Sequence, residues 1–342
     1  ALAVMDHPNI ARVFDAGATD TGRPYFVMEL VQGAPITEFC DNRKLTIEDR
    51  LRIFIDVCRG VQHAHQKGVI HRDLKPGNVL VTTVDDVATP KIIDFGIAKA
   101  TQQSLTEKTV YTRFEQFLGT PVYMSPEQAR SDGIDVDTRS DIYALGVLLY
   151  QLLIGSTPFD NKELAQLSHD EIRQRICEED FPRPSTRLLT LPESTQTASA
   201  KHRHLDSKRL HRRLKGELDW VVMRALEKDR ARRYPTASTL AEDLSHFLAG
   251  EAVFAGPPSS LYRFSRFVKR HRTGFVSGSL LFAIVTAATL VSLWQGRVAA
   301  RERDRAEESL YASRIGSAQQ SLQQQRTRRF HNLMDLCRPA KG

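Results

Sequence analysis

The segment from residue 70 to residue 80, IHRDLKPGNVL, carries an acid, a base and an amide close together: Asp73, Lys75 and Asn78. A second acid follows at Asp94, which begins the triplet DFG. Asp73 can orient a hydroxyl group and accept its proton, and Lys75 can neutralise charge on a phosphoryl group in transfer. Asn78 and Asp94 supply hard oxygen ligands of the kind that Mg²⁺ prefers. These residue types at this spacing predict phosphoryl-transfer chemistry.

The two motifs, in this order and followed by Ser-Pro-Glu at 125–127, resemble the signatures of the eukaryotic-type protein kinase family. The sequences GTPVYMSPEQ at 119–128 and SDIYALGVLLYQLL at 140–153, with a later apolar run, are most similar to bacterial membrane-anchored Ser/Thr kinases. The resemblance covers about residues 1–250. It implies an α+β, protein-kinase-like fold with a mostly helical C-lobe and an incomplete β N-lobe, followed by a single transmembrane helix.

The resemblance implies a catalytic role for three residues and a metal-binding role for two. Asp73 matches the catalytic aspartate, and Lys75 and Thr120 match its partners in kinases that act on Ser and Thr. Asn78 and Asp94 match the metal ligands. The implied cofactors are therefore ATP and Mg²⁺, and the implied reaction transfers the γ-phosphoryl group of ATP to protein Ser or Thr.

The adenine site and the regulatory residues also carry over by position. Met28 matches the back of the adenine pocket, Glu29 and Val31 match the hinge, and Leu80 matches the pocket floor. Arg72 matches an arginine that pairs with an activation-loop phosphate, whose charge and oxygens suit a guanidinium. We expect that phosphate at Thr109 or Thr112, and an ordinary polar loop remains the alternative for either hydroxyl.

Three further residues match structural positions of the family. Glu127 is expected to form a buried ion pair with Arg233, which would tie the activation segment to the C-lobe. Asp141 resembles the helix aspartate that anchors the backbone of the catalytic loop.

Local patterns predict the elements that hold these residues. Residues 1–6 resemble a helix end, and β-rich runs at 11–16 and 25–31 flank a polar turn at 17–23. Apolar residues at helical spacing predict a helix over 46–66 with Thr46 as its N-cap. Short strands are expected at 79–81 and 91–93. Further helices are expected at 141–153, 217–226 and 237–248.

The domain organisation follows from shifts in composition. The kinase domain is expected at 1–250, with a partial N-lobe at 1–31 and the C-lobe at 32–250. Residues 182–200 are rich in Pro, Ser and Thr and predict a long surface loop, which with the basic run after it forms an insertion at 182–215. The basic run, 201–215, is either a docking surface for acidic partners or phospholipid, or a solvated helix face.

An apolar run with no charged residue, 273–296, is about 24 residues long, and roughly 20 suffice to span a bilayer. It predicts a single-pass protein of the cell membrane. A basic juxtamembrane linker, 251–272, precedes the run, and an extracytoplasmic helical stub, 297–342, follows it. The kinase domain is placed in the cytoplasm because it needs cytosolic ATP.

The bulk properties limit the partners. The net charge is +7 over 342 residues, and the basic residues cluster locally, so no nucleic-acid partner is expected. The expected partners are ATP, protein substrates, the membrane and a second copy of the chain for trans-autophosphorylation. Four scattered cysteines show no metal or redox spacing.

The departures from the family pattern leave one alternative function open. The glycine-rich loop and the strand lysine are absent, and the chain begins with Ala1. We therefore expect an N-terminally truncated kinase, inactive as this segment alone. The alternative is a pseudokinase that scaffolds partners at the membrane.

Overall fold

The computed structural model describes residues 5–20, 24–95, 121–130, 136–164, 166–257 and 272–336, together with residues 259, 262, 264, 266 and 268. These fall into two compact units, Ala1–Arg270 and His271–Gly342. The first unit contains all the strands of the described part of the chain and the residues of the predicted site.

Five short strands form two sheets. β1 (Val13–Ala18) pairs antiparallel with β2 (Pro24–Met28), and β3 (Ala34–Pro35), β4 (Val79–Val84) and β5 (Val87–Ile92) form an antiparallel sheet in that order. β4 and β5 are joined by Asp85 and Asp86, both with positive φ (48° and 62°). Two such residues make the hairpin turn whose twist suits the flanking strands.

The described part of the first unit contains, in chain order, the helices α1 (Ile36–Asn42), α2 (Ile47–Gln66), α3 (Pro126–Ala129), α4 (Thr138–Ile154), α5 (Asn161–Leu164), α6 (His169–Glu178), α7 (Pro184–Thr190), α8 (Glu193–Lys201), α9 (Ser207–Leu214), α10 (Glu217–Ala225) and α11 (Ala237–Ala249). Short 3-10 turns lie at Pro76–Asn78, Pro121–Tyr123 and Arg230–Arg232. β1, β2 and β3 come first in the chain, β4 and β5 follow α2, and the described elements after β5 are helical, as the resemblance implied.

The core is organised around α4. Every residue from 141 to 150 is buried, so this helix is covered on all sides. Asp137 caps its N-terminus by accepting from the Arg139 N–H, and Gly155, at φ 76°, ends it in the left-handed conformation that glycine adopts without strain. The prediction of a helix here is confirmed, with three residues added at its start.

Other local predictions agree with the structure to within a few residues. α2 begins after Thr46, whose side chain accepts from the Asp49 N–H, so the predicted N-cap is confirmed. β1 lies two residues later than predicted, and β2 ends at Met28 rather than at Val31. Residues 5 and 6 are not helical, and the first four residues of the predicted helix end lie outside the described part.

The prediction of a loop over 182–200 is wrong. This segment forms α7 and most of α8, because Pro184 stands in the first turn of a helix, where its missing N–H costs nothing. Ser185 donates its hydroxyl to the buried Asp219 carboxylate at 2.6 Å, and Leu188 is fully buried. The segment is therefore part of the packed domain.

The basic run over 201–215 is not uniformly solvated. Arg203 is 1% exposed and donates to the carbonyl oxygens of Ser199 (2.7 Å) and Leu152 (2.8 Å). The buried Arg50 donates to the carbonyl oxygens of Cys40 (2.9 Å) and His202 (3.0 Å). These two arginines satisfy buried carbonyl groups at the C-terminal ends of three helices, α1, α4 and α8.

The second unit contains one continuous helix, α12 (Arg272–Leu336), 65 residues long. Its apolar part is long and apolar enough to cross a membrane by length and composition. Large side chains there are exposed, including Phe282 (75%) and Trp294 (66%). The predicted span, 273–296, and most of the predicted stub lie within this one helix.

Gly146 in α4 provides a test of the packing against α10. A Cβ atom at this position would lie 2.9 Å from the Ala225 Cβ, a contact with no flexible atom to relieve it. Gly146→Ala gains about 1 kcal/mol in helix propensity but overpacks the core by about 1–3 kcal/mol. We expect a lower melting temperature of the kinase domain, measured by circular dichroism.

The matched control is Gly316→Ala in α12, where a Cβ atom meets nothing within 4 Å. This change should leave the melting temperature of the domain unaltered. A Gly146→Ala protein that melts at or above the wild-type temperature would contradict the close packing of α4 on α10.

Candidate active site

The candidate catalytic loop, which carries Asp73, Lys75 and Asn78, follows α2 and is anchored by a buried carboxylate. Asp141, 1% exposed, accepts the backbone N–H groups of His71 (Oδ2, 2.8 Å) and Arg72 (Oδ1, 2.8 Å). Its Oδ2 also contacts the Nε2 of His65 at 2.7 Å. Three hydrogen bonds offset the cost of burying the carboxylate and fix the start of the loop.

Two residues of the site adopt a left-handed backbone conformation. Arg72 has φ 64° and Asp94 has φ 56°. This conformation costs a non-glycine residue about 1–2 kcal/mol, so the surrounding contacts must hold it. For Arg72 these are the bond from its N–H to Asp141 and the bond that its carbonyl oxygen accepts from Gln128 Nε2 at 2.9 Å.

His71 connects the catalytic loop to the end of β5. Its Nε2 donates to the Ile93 carbonyl at 3.0 Å, and its Nδ1 accepts from the Asp73 N–H at 3.3 Å. Burial lowers the pKa of His71, which keeps the ring neutral in this arrangement of donor and acceptor. The ring also packs on Phe95, with centroids 4.7 Å apart, so the loop and the DFG triplet are held to each other.

The structure brings Asp73, Lys75 and Asn78 together. Lys75 Nζ donates to Asp73 Oδ2 at 2.8 Å, and Asn78 Nδ2 donates to the same oxygen at 3.2 Å and to the Asp73 carbonyl at 2.8 Å. The Asp73 side chain remains 40% exposed, and no described residue donates to its Oδ1. One carboxylate oxygen is therefore held in place, and the other can accept a hydrogen bond from a substrate hydroxyl.

The residues present fit a Mg²⁺ ion whose remaining ligands are phosphate oxygens. The amide nitrogen of Asn78 is engaged by Asp73, which leaves its Oδ1 as a ligand atom, and the Asp94 side chain is exposed. The Ile93 N–H donates to the Asn78 carbonyl at 3.0 Å. Because Asp94 follows Ile93 directly, this bond holds the backbone of Asp94 near Asn78. Mg²⁺ in kinases uses few protein ligands and several phosphate or water oxygens. The described residues contain no cluster of three or more His, Cys, Asp or Glu side chains suited to a metal.

Of the residues assigned to the adenine pocket, Met28 ends β2, Glu29 and Val31 lie between β2 and β3, and Leu80 lies in β4. The Glu29 N–H donates to the Arg12 carbonyl at 2.8 Å, and the Glu29 carboxylate pairs with Lys91 Nζ at 2.7 Å. Met28, Val31 and Leu80 are each half-buried, and Leu80 pairs with Pro35 in the sheet that begins just after Val31.

A buried ion pair holds α3 to Arg233, which follows the 3-10 turn at Arg230–Arg232. Arg233 donates to both oxygens of Glu127, at 2.7 and 2.8 Å, and Ser140 adds a third bond at 2.6 Å. Burial alone would raise the pKa of Glu127, but the hydrogen bonds and charge of Arg233 lower it below its ordinary value. The arrangement matches the pairing expected from the sequence.

Three predicted residues, Thr109, Thr112 and Thr120, lie outside the described residues. Sequence reasoning missed Gln128 and His65. Gln128 stands three residues after Ser125, the spacing of a capping box, and its Oε1 accepts from the Ser125 N–H at 3.0 Å. The sequence could have predicted the capping box, but it could not have predicted the hydrogen bond from Gln128 to the Arg72 carbonyl.

The family model of the protein kinase domain matches residues 1–244. The chain belongs to the protein kinase family. Serine/threonine-protein kinase PknB of Mycobacterium tuberculosis (strain ATCC 25618 / H37Rv) is 34% identical over 253 residues, which cover 73% of this chain and 35% of that protein. A probable serine/threonine-protein kinase PknB of Corynebacterium glutamicum is 36% identical over 244 residues, which cover 70% of this chain and 33% of that protein.

The chain thus spans about a third of the length of these kinases. Among solved structures, the Mycobacterium tuberculosis PknI kinase domain aligns with a TM-score of 0.48 and 25% identity, over 72% of this chain and 75% of that one. The matches to the two PknB kinases agree with the resemblance found in the sequence.

The Glu127–Arg233 pair predicts a dependence of stability on charge and on pH. Glu127→Gln leaves the fully buried Arg233 guanidinium without its carboxylate, which costs about 3 kcal/mol. Because the folded-state pKa of Glu127 is lowered, its stabilisation is present above a pH of about 4.3 and is lost as the pH falls through the lowered pKa. Chemical denaturation at several pH values should show the gap between wild type and variant closing in acid.

Glu48→Gln is the matched control, because Glu48 pairs with Arg213 at a site where both side chains are about 40% exposed. An exposed pair contributes about 1 kcal/mol or less. Equal losses of unfolding free energy in the two variants would refute the structural role of the Glu127 pair.

Proposed function

We propose that the protein is a membrane-anchored serine/threonine protein kinase that transfers the γ-phosphoryl group of ATP to Ser or Thr residues of proteins. The observation that carries this proposal is the Asp73 carboxylate, which Lys75 and Asn78 hold at one oxygen while no described residue donates to the other. The family membership and the relatives named as Ser/Thr kinases support it.

Asp73 positions the nucleophile in this proposal. A substrate hydroxyl donates to the open Oδ1, which orients its oxygen toward the phosphorus atom and accepts its proton as transfer proceeds. Phosphoryl transfer has a loose transition state, so orientation contributes more than strong base catalysis. The bond from the Asp73 N–H to His71 keeps the carboxylate at a constant place in the loop.

Lys75 and Asn78 have different roles in this proposal. Lys75 lies within hydrogen-bonding distance of Asp73 and can neutralise charge on the transferred phosphoryl group while it holds the carboxylate. Asn78 Oδ1 and the Asp94 carboxylate would hold Mg²⁺, which when bound neutralises the phosphate oxygens of ATP. Lys75 is also typical of kinases that modify Ser and Thr rather than Tyr.

The location at the membrane rests on α12. Its exposed apolar side chains over a length sufficient to span a bilayer are costly in water and favourable in lipid. ATP is cytosolic, so we place the kinase domain on the cytoplasmic side of the membrane.

Asp73→Asn in the full-length protein tests the catalytic proposal. The amide retains the shape of the side chain but cannot accept the proton, and we expect phosphoryl transfer to fall by a factor of about 100 or more. The measurement is autophosphorylation on Ser and Thr with labelled Mg-ATP, together with thermal melting to show that the fold is intact.

Asp86→Asn in the exposed β4–β5 hairpin is the control, since Asn tolerates its positive φ and the residue lies outside the site. Full activity of Asp73→Asn would refute the assignment of Asp73. Absence of phosphate transfer by the wild-type protein would instead favour the pseudokinase scaffold.

A further inference from the structure

A cavity of about 280 Å³ is lined by residues of α9, α10, α11 and the juxtamembrane linker. We call it the basic pocket. Its lining includes Arg212, Arg213, Lys215, Glu217, Trp220 and Arg266. Four cations and a single carboxylate line it, and it shares no residue with the catalytic loop.

Two of the cations are already committed to carboxylates. Arg213 donates to Glu48 Oε1 at 2.5 Å and lies over the Phe247 ring at 4.3 Å. Arg266 Nε donates to Glu217 Oε1 at 2.6 Å, and Glu217 is 6% exposed. The pocket's one carboxylate is therefore occupied from within the protein.

The other two cations are available to a ligand. Arg212 and Lys215 are exposed, and no described carboxylate forms an ion pair with either of them. Both stand at the end of α9, where the chain turns through Gly216 (φ 102°) into α10. The pocket thus carries positive charge that no carboxylate of the described residues compensates.

The juxtamembrane segment forms one wall of the pocket. The Tyr262 ring packs edge-on against Trp220 with centroids 5.5 Å apart, and its hydroxyl accepts from the Val253 N–H at 3.1 Å and contacts Glu217. Burial and the neighbouring Arg213 guanidinium lower the pKa of Arg266. An anion in the pocket would relieve the repulsion between these two arginines.

The sequence places this wall close to the apolar run. Arg266 precedes Thr273, the first residue of that run, by seven positions. Seven residues reach at most about 25 Å when extended, and further basic residues at 269, 270 and 272 lie between them. Cytoplasmic basic segments beside a membrane span attract anionic lipids.

We propose that the basic pocket binds the phosphate group of an anionic phospholipid headgroup, with Arg212 and Lys215 as its direct ligands. An arginine binds phosphate oxygens through two parallel N–H bonds, and a lysine adds a point charge. A bound headgroup would hold the juxtamembrane segment against α10 through Arg266 and Tyr262. The inference rests on the membrane span of the proposed function, and not on catalysis.

Native mass spectrometry of the full-length protein tests this, after purification in detergent with either phosphatidylglycerol or phosphatidylcholine. We expect wild type to retain phosphatidylglycerol selectively, and Arg212→Gln/Lys215→Gln to lose roughly tenfold or more of that retention. The control, Lys208→Gln/Arg209→Gln, removes two charges from the same helix outside the pocket and should retain the lipid as wild type does.

Inorganic phosphate is added in a separate experiment, which distinguishes a phospholipid headgroup from free phosphate as the ligand of the basic pocket. Equal retention of both lipids, equal retention in the two double variants, or displacement of phosphatidylglycerol by millimolar phosphate would each overturn the proposal. Extraction of membranes with carbonate shows separately whether the protein is inserted. Failure of insertion would refute the span, whereas an inserted protein without selective retention would refute the pocket alone.

Discussion

The buried carboxylate of Asp141 is the constraint on which the site depends. A charge buried in the core of the C-lobe is tolerated only when hydrogen bonds replace its water. The donors here are the N–H groups of His71 and Arg72 and the ring of His65. The need to satisfy this carboxylate therefore sets the backbone of the catalytic loop, including the left-handed conformation of Arg72.

From that anchor, hydrogen bonds run in two directions. His71 links Asp73 to Ile93 at the end of β5, and Asn78 bonds back to Asp73, so the proposed catalytic carboxylate and the proposed metal ligand Asn78 share one framework. Gln128 bonds to the Arg72 carbonyl and belongs to the helix that contains Glu127. The Glu127–Arg233 pair and the Asp141 anchor thus position opposite ends of one connected network.

The basic run over 201–215 shows how tertiary structure gives similar residues different roles. Arg203 is buried against carbonyl groups, Arg213 is paired with Glu48, and Arg212 and Lys215 face the basic pocket. Composition alone suggested one shared role for the run. The role of each residue depends on its neighbours from α4, α2 and the juxtamembrane segment, which are distant from the run in the sequence.

Spacing and local chemistry were sufficient to predict the cap of α2 and the helices α4, α10 and α11, because these signals depend on neighbours within a few positions. The phosphoryl-transfer roles inferred from the same spacing stay predictions. The prediction from local composition failed over 182–200, because Pro, Ser and Thr are common both in loops and in the first turn of a helix. Only the burial of Leu188 and Ser185 against the domain selects the helix. Tertiary structure alone decided that Gln128 reaches Arg72 and that His65 contacts Asp141. Each of those bonds joins residues more than 50 positions apart, and no local pattern records such a contact.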